Sequence, residues 1–238
     1  MGFMNDQELK AALSTRLKEV HGRIATACQK SKRNPDEVTL IAVTKTVSNR
    51  VVAAMHELGV NDFGENRPQE LWKKAAALPS ARWHLIGHLQ RNKIDKTVPL
   101  AVLNHSVDSE RLLLAMNEFG TKVGKPCPVL LEFNCSREDA KSGFDPEQLS
   151  NLGDLLPSLP GVRVKGLMTM AAYHDDPEHS RPAFAELRSL RDRLRIQTGL
   201  PLPWLSMGMS NDFEVAIKEG ATHVRIGTTL FHGLETIE

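Results

Sequence analysis

The chain predicts a single-domain (β/α)8 barrel, a TIM barrel, with one extra helix in front of it. Three observations carry that expectation. Eight short apolar or β-branched runs recur along the 238 residues, each of strand length. Helical patterns fill the gaps between them, the alternation that builds parallel sheets. The first strand leaves through Lys45-Thr46-Val47-Ser48, without the glycines that a doubly wound sheet wants at that turn.

The elements follow in order. A helix is predicted from about Asp6 to Ser31, because Leu9, Ala12, Leu13, Leu17, Val20 and Ile24 share one face. The run Val38 to Lys45 is rich in β-branched residues and reads as a buried strand. A helix from Ser48 to about Leu58 stops at Gly59. Residues 62–66 form the second strand, and a helix through Glu70, Leu71, Trp72 and Ala76 follows. The remaining strands are residues 82–87, 102–107, 128–134, 162–170, 204–209 and 222–227. The clearest later helices are Arg181 to Gln197 and Asp212 to Glu219. No linker, repeat or low-complexity segment interrupts the pattern, so residues 1–238 read as one domain.

Composition excludes several classes. The 30 basic and 29 acidic side chains nearly cancel, and no block of like charge offers a nucleic-acid or membrane surface. The longest apolar stretches are too short to span a bilayer. The first residues lack a signal-peptide pattern. Cys28, Cys127 and Cys135 are an odd number at wide spacing, which suits free thiols in a reducing cytoplasm. No CxxC pair supports a metal site, and none is expected. His84 and His88 lack an obvious third ligand. The segment His174 to His179 reads as a solvated loop, and Cys135 as a packing residue.

Barrel active sites lie at the C-terminal ends of the strands. This reading puts Lys45, Glu65, Asn66, His84, Asn134, Met168, residues 206–210 and residues 225–228 there. Lys45 has two readings. It marks where the strand meets water, or it is an amine whose neutral form attacks aldehydes. The segment Ser206 to Asp212 looks like an anion site leading into a helix. Asn211 and Glu214 have capping-box spacing, and Gly208 would let backbone N–H groups approach a ligand. After strand eight, Gly227, Thr228 and Thr229 offer further donors. Arg225 shares its face with Gly227, because side chains alternate along a strand. An aldehyde-trapping lysine opposite a phosphate cradle suggests pyridoxal 5′-phosphate.

The chain resembles the pyridoxal phosphate homeostasis protein family, itself similar to the barrel domain of alanine racemase. The matching segments are Ala42-Val43-Thr44-Lys45, Phe63-Gly64-Glu65-Asn66, Trp83 to Gly87 with Leu89-Gln90 and Asn92-Lys93, Lys141-Ser142-Gly143, Gly166-Leu167-Met168, Leu205 to Ser210, and Val224 to Thr228. They stand in family order across nearly the whole chain. The resemblance implies that Lys45 is the Schiff-base lysine and that Arg225 faces the pyridine nitrogen. It implies that Ser206, Ser210, Gly227 and Thr228 bind the phosphate, and that Asn66 and His84 line the ring. Arg67-Pro68, His88, Arg91 and His232 depart from the family pattern beside the site.

The expected function is a pyridoxal phosphate carrier that buffers and delivers the cofactor, with pyridoxal phosphate-dependent apo-enzymes as recipients. It is not expected to be an enzyme. The alternative is an amino-acid racemase, which needs a second acid/base opposite the lysine. In alanine racemase that group is a tyrosine from a C-terminal domain. The sequence stops soon after strand eight, so such a domain is not expected, and its one tyrosine is Tyr173. A guanidinium at the pyridine nitrogen also leaves the ring a poorer electron sink. A third reading is a barrel for some other phosphorylated metabolite.

Overall fold

The structure, a computed structural model, describes residues 4–138 and 142–234. Lys141 lies outside the described residues. Helix α1, Asp6–Lys30, begins at a capping box. The Asn5 side chain accepts from the Glu8 N–H, and the Glu8 carboxylate accepts from the Asn5 N–H. Its buried stripe of Leu9, Leu13, Leu17, Val20 and Ile24 is the one the periodicity predicts.

Strand and helix then alternate without exception. β1 is Thr39–Val43 and α2 is Asn49–Glu57. β2 is Asp62–Glu65 and α3 is Pro68–Ala77. β3, Arg82–Leu85, leads to the short α4, Ile94–Thr97. β4 is Ala101–Val107 and α5 is Glu110–Val123. β5 is Cys127–Glu132 and α6 is Leu149–Leu155. β6 is Val162–Met168 and α7 is Arg181–Thr198. β7 is Trp204–Met209 and α8 is Phe213–Lys218. β8 is His223–Ile226 and α9 is Thr228–Phe231. All eight strands are parallel and paired in chain order. β1 bonds to both β2 and β8, which closes the barrel. The extra helix α1 lies outside it against α2, α8 and α9. There Arg23 pairs with Glu214 at 2.6 Å and stacks over the Phe213 ring at 4.5 Å.

Strand alternation sorts the core into two layers. Outward residues such as Leu40, Ala42, Phe63, Trp83, Val129, Leu131, Leu205 and Val224 join one large apolar cluster with the helices. Inside the barrel the apolar content is small. Leu103, Leu130 and Met168 form a separate cluster, with Met170 and Trp204 against it. Ile41 and Val43 also face inward, and beside them the interior is polar: Asp62, His84, His105, Glu132, Ser206, His223 and Arg225 are all buried. Barrel interiors are normally filled by branched aliphatic residues, so this polarity is a property of the chain to be explained.

Two local expectations are corrected. The capping box at Asn211 does not form. Asn211 donates to the His174 carbonyl at 2.7 Å, and Glu214 is engaged by Arg23 on α1. Asp212 is the N-cap residue, and its carboxylate accepts from the Met209 N–H at 2.7 Å, tightening the turn. Tertiary partners outcompeted the local motif. Gly208 also serves another purpose. Its φ is +91°, and a Cβ there would stand 2.6 Å from the Ala216 Cβ and 2.9 Å from the Phe213 Cα. It must be glycine because β7 and α8 nearly touch, and it does not line the cavity at the C-terminal ends of the strands.

Candidate functional site

β1 ends at Val43, but its ladder runs one residue further, where the Thr44 N–H donates to the Gly64 carbonyl at 3.0 Å. The chain then turns, with the Val47 N–H donating to the Thr44 carbonyl at 3.1 Å. Lys45 is therefore the first residue off the sheet. It is exposed and shares the inward parity of Ile41 and Val43. The Thr44 backbone beneath it is pinned from outside the barrel. The buried Lys74 ammonium donates to the Thr44 carbonyl and to Glu65 Oε1, each at 2.6 Å. The Thr44 hydroxyl donates to the same Glu65 oxygen at 2.6 Å. A buried pair with shared hydrogen bonds holds its geometry firmly, because losing one partner strands the other charge. Glu65, expected at the mouth, thus faces α3 and supports Lys45 from behind.

The C-terminal ends of the strands enclose a cavity of about 760 Å³, within the range of small-molecule sites. Lys45, Asn66, Ser210, Arg225, Gly227 and Thr228 all line it. Six of the eight residues named from the sequence are therefore brought to one wall.

The loops after β7 and β8 meet at Ser210. Its hydroxyl oxygen accepts from the Gly227 N–H at 3.2 Å and the Thr229 N–H at 3.3 Å. Two backbone donors thus converge on one point, as an oxyanion would require. Thr229, not named from the sequence as a binder, belongs to this cluster.

Arg225 is buried on the cavity wall. Burial lowers its pKa to about 10, which leaves it cationic at neutral pH. Two of its donors are held from behind, by the Ser206 hydroxyl at 2.6 Å and the Thr169 carbonyl at 3.0 Å.

The other two residues lie elsewhere. Ser206, expected at the phosphate, sits under Arg225 and also contacts His105 Nδ1 at 2.8 Å. His84, expected beside the ring, points into the barrel. Its Nδ1 meets His105 Nε2 at 3.0 Å and its Nε2 meets Asp62 at 2.9 Å. Both face inward, as strand parity requires, but one layer too deep to reach the cavity. Asn134 also stays off the cavity wall and donates to the Glu138 carbonyl at 2.9 Å. His105, Asp62 and Thr169 escaped the sequence reading. A polar triplet, Asn104-His105-Ser106, inside a strand was the signal available for the first.

Around this core stand further ionisable groups. His88 lines the cavity and pairs with Asp108 at 2.7 Å. The Glu132 carboxyl is pushed up to about 7 by burial, aided by the Asp108 charge and opposed by Arg225 and His88. Asp62 is drawn down to about 2; hydrogen bonds from His84 and Arg82 outweigh the burial that would raise it. Among the described residues no group of three His, Cys, Asp or Glu side chains is arranged for a metal ion. No helix among them is long and apolar enough to cross a membrane.

Comparison with known proteins adds to this geometry. Residues 17–235 match the alanine racemase N-terminal domain model. The pyridoxal phosphate homeostasis protein of Aquifex aeolicus is 44% identical over 218 residues, covering 91% of this chain and 96% of the relative. That of Pseudomonas aeruginosa is 39% identical, over 93% of this chain and 95% of its own. The solved structure of PipY from Synechococcus elongatus with pyridoxal phosphate bound superposes with a TM-score of 0.79 at 34% identity, covering 92% of this chain and 99% of PipY. Alanine racemase from Corynebacterium glutamicum has a TM-score of 0.73 at 17% identity, over 95% of this chain and 64% of that one. That last similarity is one of fold.

Proposed function

Because the chain belongs to the pyridoxal phosphate homeostasis proteins, within the alanine racemase N-terminal domain family, we propose that it binds, buffers and delivers pyridoxal 5′-phosphate. The observation that carries this reading is the single cavity joining an amine, a guanidinium and a two-loop anion cluster. These residues fit the cofactor's three handles: an aldehyde, a pyridine nitrogen and a phosphate. When bound, the cofactor supplies an electrophilic aldehyde and an aromatic electron sink.

Lys45 is the residue that holds it covalently. Its amine, when unprotonated, would be the nucleophile that a Schiff base with the aldehyde requires. The Lys74–Glu65–Thr44 lock keeps the Lys45 backbone in register with the cavity. Arg225 addresses the pyridine nitrogen. A guanidinium has donors only, so the nitrogen accepts a hydrogen bond and stays unprotonated. Asn66 borders the ring. Ser210, Thr228 and the Gly227 and Thr229 N–H groups take the phosphate. His84 and Ser206 act one layer below.

The reading includes no substantial turnover, and the placement of Arg225 is its physical support. A ring nitrogen kept neutral withdraws electrons weakly, so a carbanion beside it is poorly stabilised. The relatives' name points the same way. Delivery goes to pyridoxal phosphate-dependent apo-enzymes, from one barrel domain working in the cytoplasm. Three buried cysteines with no disulfide suit that compartment.

Borohydride reduction followed by peptide mass mapping tests the covalent step. The pyridoxyl group is expected on Lys45; a label on another lysine overturns the assignment, and Lys45→Ala should carry none. Incubation with L- or D-alanine tests the carrier reading. Racemisation at an ordinary enzyme rate of about 1–1000 per second would replace the carrier with a racemase. Reactivation of an apo-enzyme by the loaded protein, faster than by the cofactor it spontaneously releases, tests delivery.

A further inference from the structure

The barrel interior contains an unbroken line of polar side chains from the cavity to the opposite end. Arg225 Nη1 meets Ser206 Oγ at 2.6 Å, and Ser206 Oγ meets His105 Nδ1 at 2.8 Å. His105 Nε2 meets His84 Nδ1 at 3.0 Å, and His84 Nε2 meets Asp62 Oδ1 at 2.9 Å. Asp62 and Arg82 open β2 and β3, and Arg82 grips the Asp62 carboxylate with a forked contact. Ser206 and His105 are fully buried, and His84 and Arg225 nearly so.

We infer that Ser206, His105, His84 and Asp62 are positioning residues for Arg225, joined in a hydrogen-bond chain that runs in one direction only. The two ends fix the direction. A guanidinium only donates, and an ionised carboxylate only accepts. Ser206 Oγ receives the Arg225 N–H, so its own hydrogen turns to His105 Nδ1. His105 then carries its proton on Nε2 and donates to His84 Nδ1. His84 carries its proton on Nε2 and donates to Asp62. Each contact along the line then joins one donor to one acceptor.

The opposite direction fails on the same count. His105 would donate from Nδ1 to Ser206, whose hydrogen would then have no acceptor in the chain. His84 would need protons on both nitrogens, a cation in the core. Burial, with the nearby Arg225 charge, holds His105 neutral, in keeping with the first arrangement. His223 stands beside the line without joining it; its Nδ1 is engaged by Thr222 Oγ1 at 2.9 Å.

The consequence is local to the cavity. The Ser206 hydroxyl hydrogen points away from Arg225, so its lone pairs hold the guanidinium while Thr169 holds the other arm. The Arg225 plane is set before any ligand arrives, and each dipole in the line presents its negative end to the cation. Ser206 thus acts on the ring end of the ligand, through Arg225, and not on the phosphate. This last clause rests on the function proposed above; the direction of the chain does not.

Two measurements test it. Long-range ¹⁵N–¹H correlation spectra of the protein without cofactor, with side chains assigned through bonds to the backbone, report each tautomer directly. Both His84 and His105 are expected with one proton, on Nε2, at neutral pH. A proton on Nδ1 of either ring overturns the chain. The second measurement compares pyridoxal phosphate with pyridoxal, which lacks the phosphate. Ser206→Ala should weaken both by the same factor, about tenfold for one charge-assisted hydrogen bond, and Ser206→Thr should restore both. Weakening of the phosphate form alone makes Ser206 a phosphate ligand, and an unchanged pair of affinities removes its positioning role. If the wild-type protein binds neither compound, the proposed function fails while the spectra still decide the chain.

Discussion

Glu132 shows how one residue's environment becomes a measurable property. It closes β5 inside the barrel, 3% exposed, with a pKa raised from 4.5 to about 7. The folded state therefore holds a proton that the unfolded state releases between those two values. With more protons bound when folded, this residue's contribution to stability falls as pH rises through that window. The difference of 2.5 units corresponds to on the order of 3 kcal/mol. Glu132→Gln mimics the protonated form and lacks the titration. Urea unfolding of both proteins at pH 5 and pH 8 should show the variant gaining relative to wild type by up to that amount. Histidine titrations, which push the other way, are common to both and cancel in the comparison. Parallel pH profiles would mean that Glu132 is ionised and paired at neutral pH.

The decisive element is the β7–α8 unit, because it carries both Ser206 below the cavity and Ser210 on its wall. Its geometry depends on Gly208, whose positive φ and close neighbours leave no room for a side chain. Gly208→Ala should cost about 1–3 kcal/mol from overpacking alone, with an added cost for the left-handed backbone. The strand and helix must part, and Ser210 moves with them. Loss of stability should come with weakened binding of pyridoxal phosphate, read by thermal unfolding and titration of the same sample. Wild-type stability in the alanine variant would show that β7 and α8 do not pack as closely as their contacts indicate. The N-terminal helix illustrates the converse. Its capping box at Asn5 is entirely local and forms as the pattern predicts, whereas the one at Asn211 yields to His174 and Arg23.

At the scale of the molecule, a ligand that binds only the closed barrel must stabilise it. At a hundred times the dissociation constant the gain is about 2.7 kcal/mol, or roughly 5–11 °C in Tm for a chain of this size. Pyridoxal phosphate should give that shift, and pyridoxal at equal concentration a much smaller one, since it lacks the group that Ser210, Gly227 and Thr229 would hold. Ser210→Ala should narrow the gap between the two ligands while leaving the Lys45 chemistry in place. Equal shifts in the wild type would place the phosphate away from the loops after β7 and β8.

The sequence by itself determined the order of elements, the extra helix and the end of the barrel where the cavity lies. Those features follow from periodicities of two and 3.6 residues and from the rule that barrel sites sit at strand ends. Of the residues it named, Lys45, Asn66, Ser210, Arg225, Gly227 and Thr228 do line the cavity, whereas Glu65 and Asn134 from the same strand ends turn away from it. Depth was out of its reach. Parity tells which way His84 and Ser206 point, but the height of each strand against its neighbours is set by closing the sheet, with register shifts between β3 and β4, β4 and β5, and β7 and β8. Only that closure puts Ser206 beneath Arg225, His105 between Ser206 and His84, and Asp62 at the far end. The same holds for Gly208, which looks like a ligand-binding glycine until α8 is folded against it. Residues whose partners are near in the chain are legible from it; those whose partners come from across a barrel are assigned by the barrel.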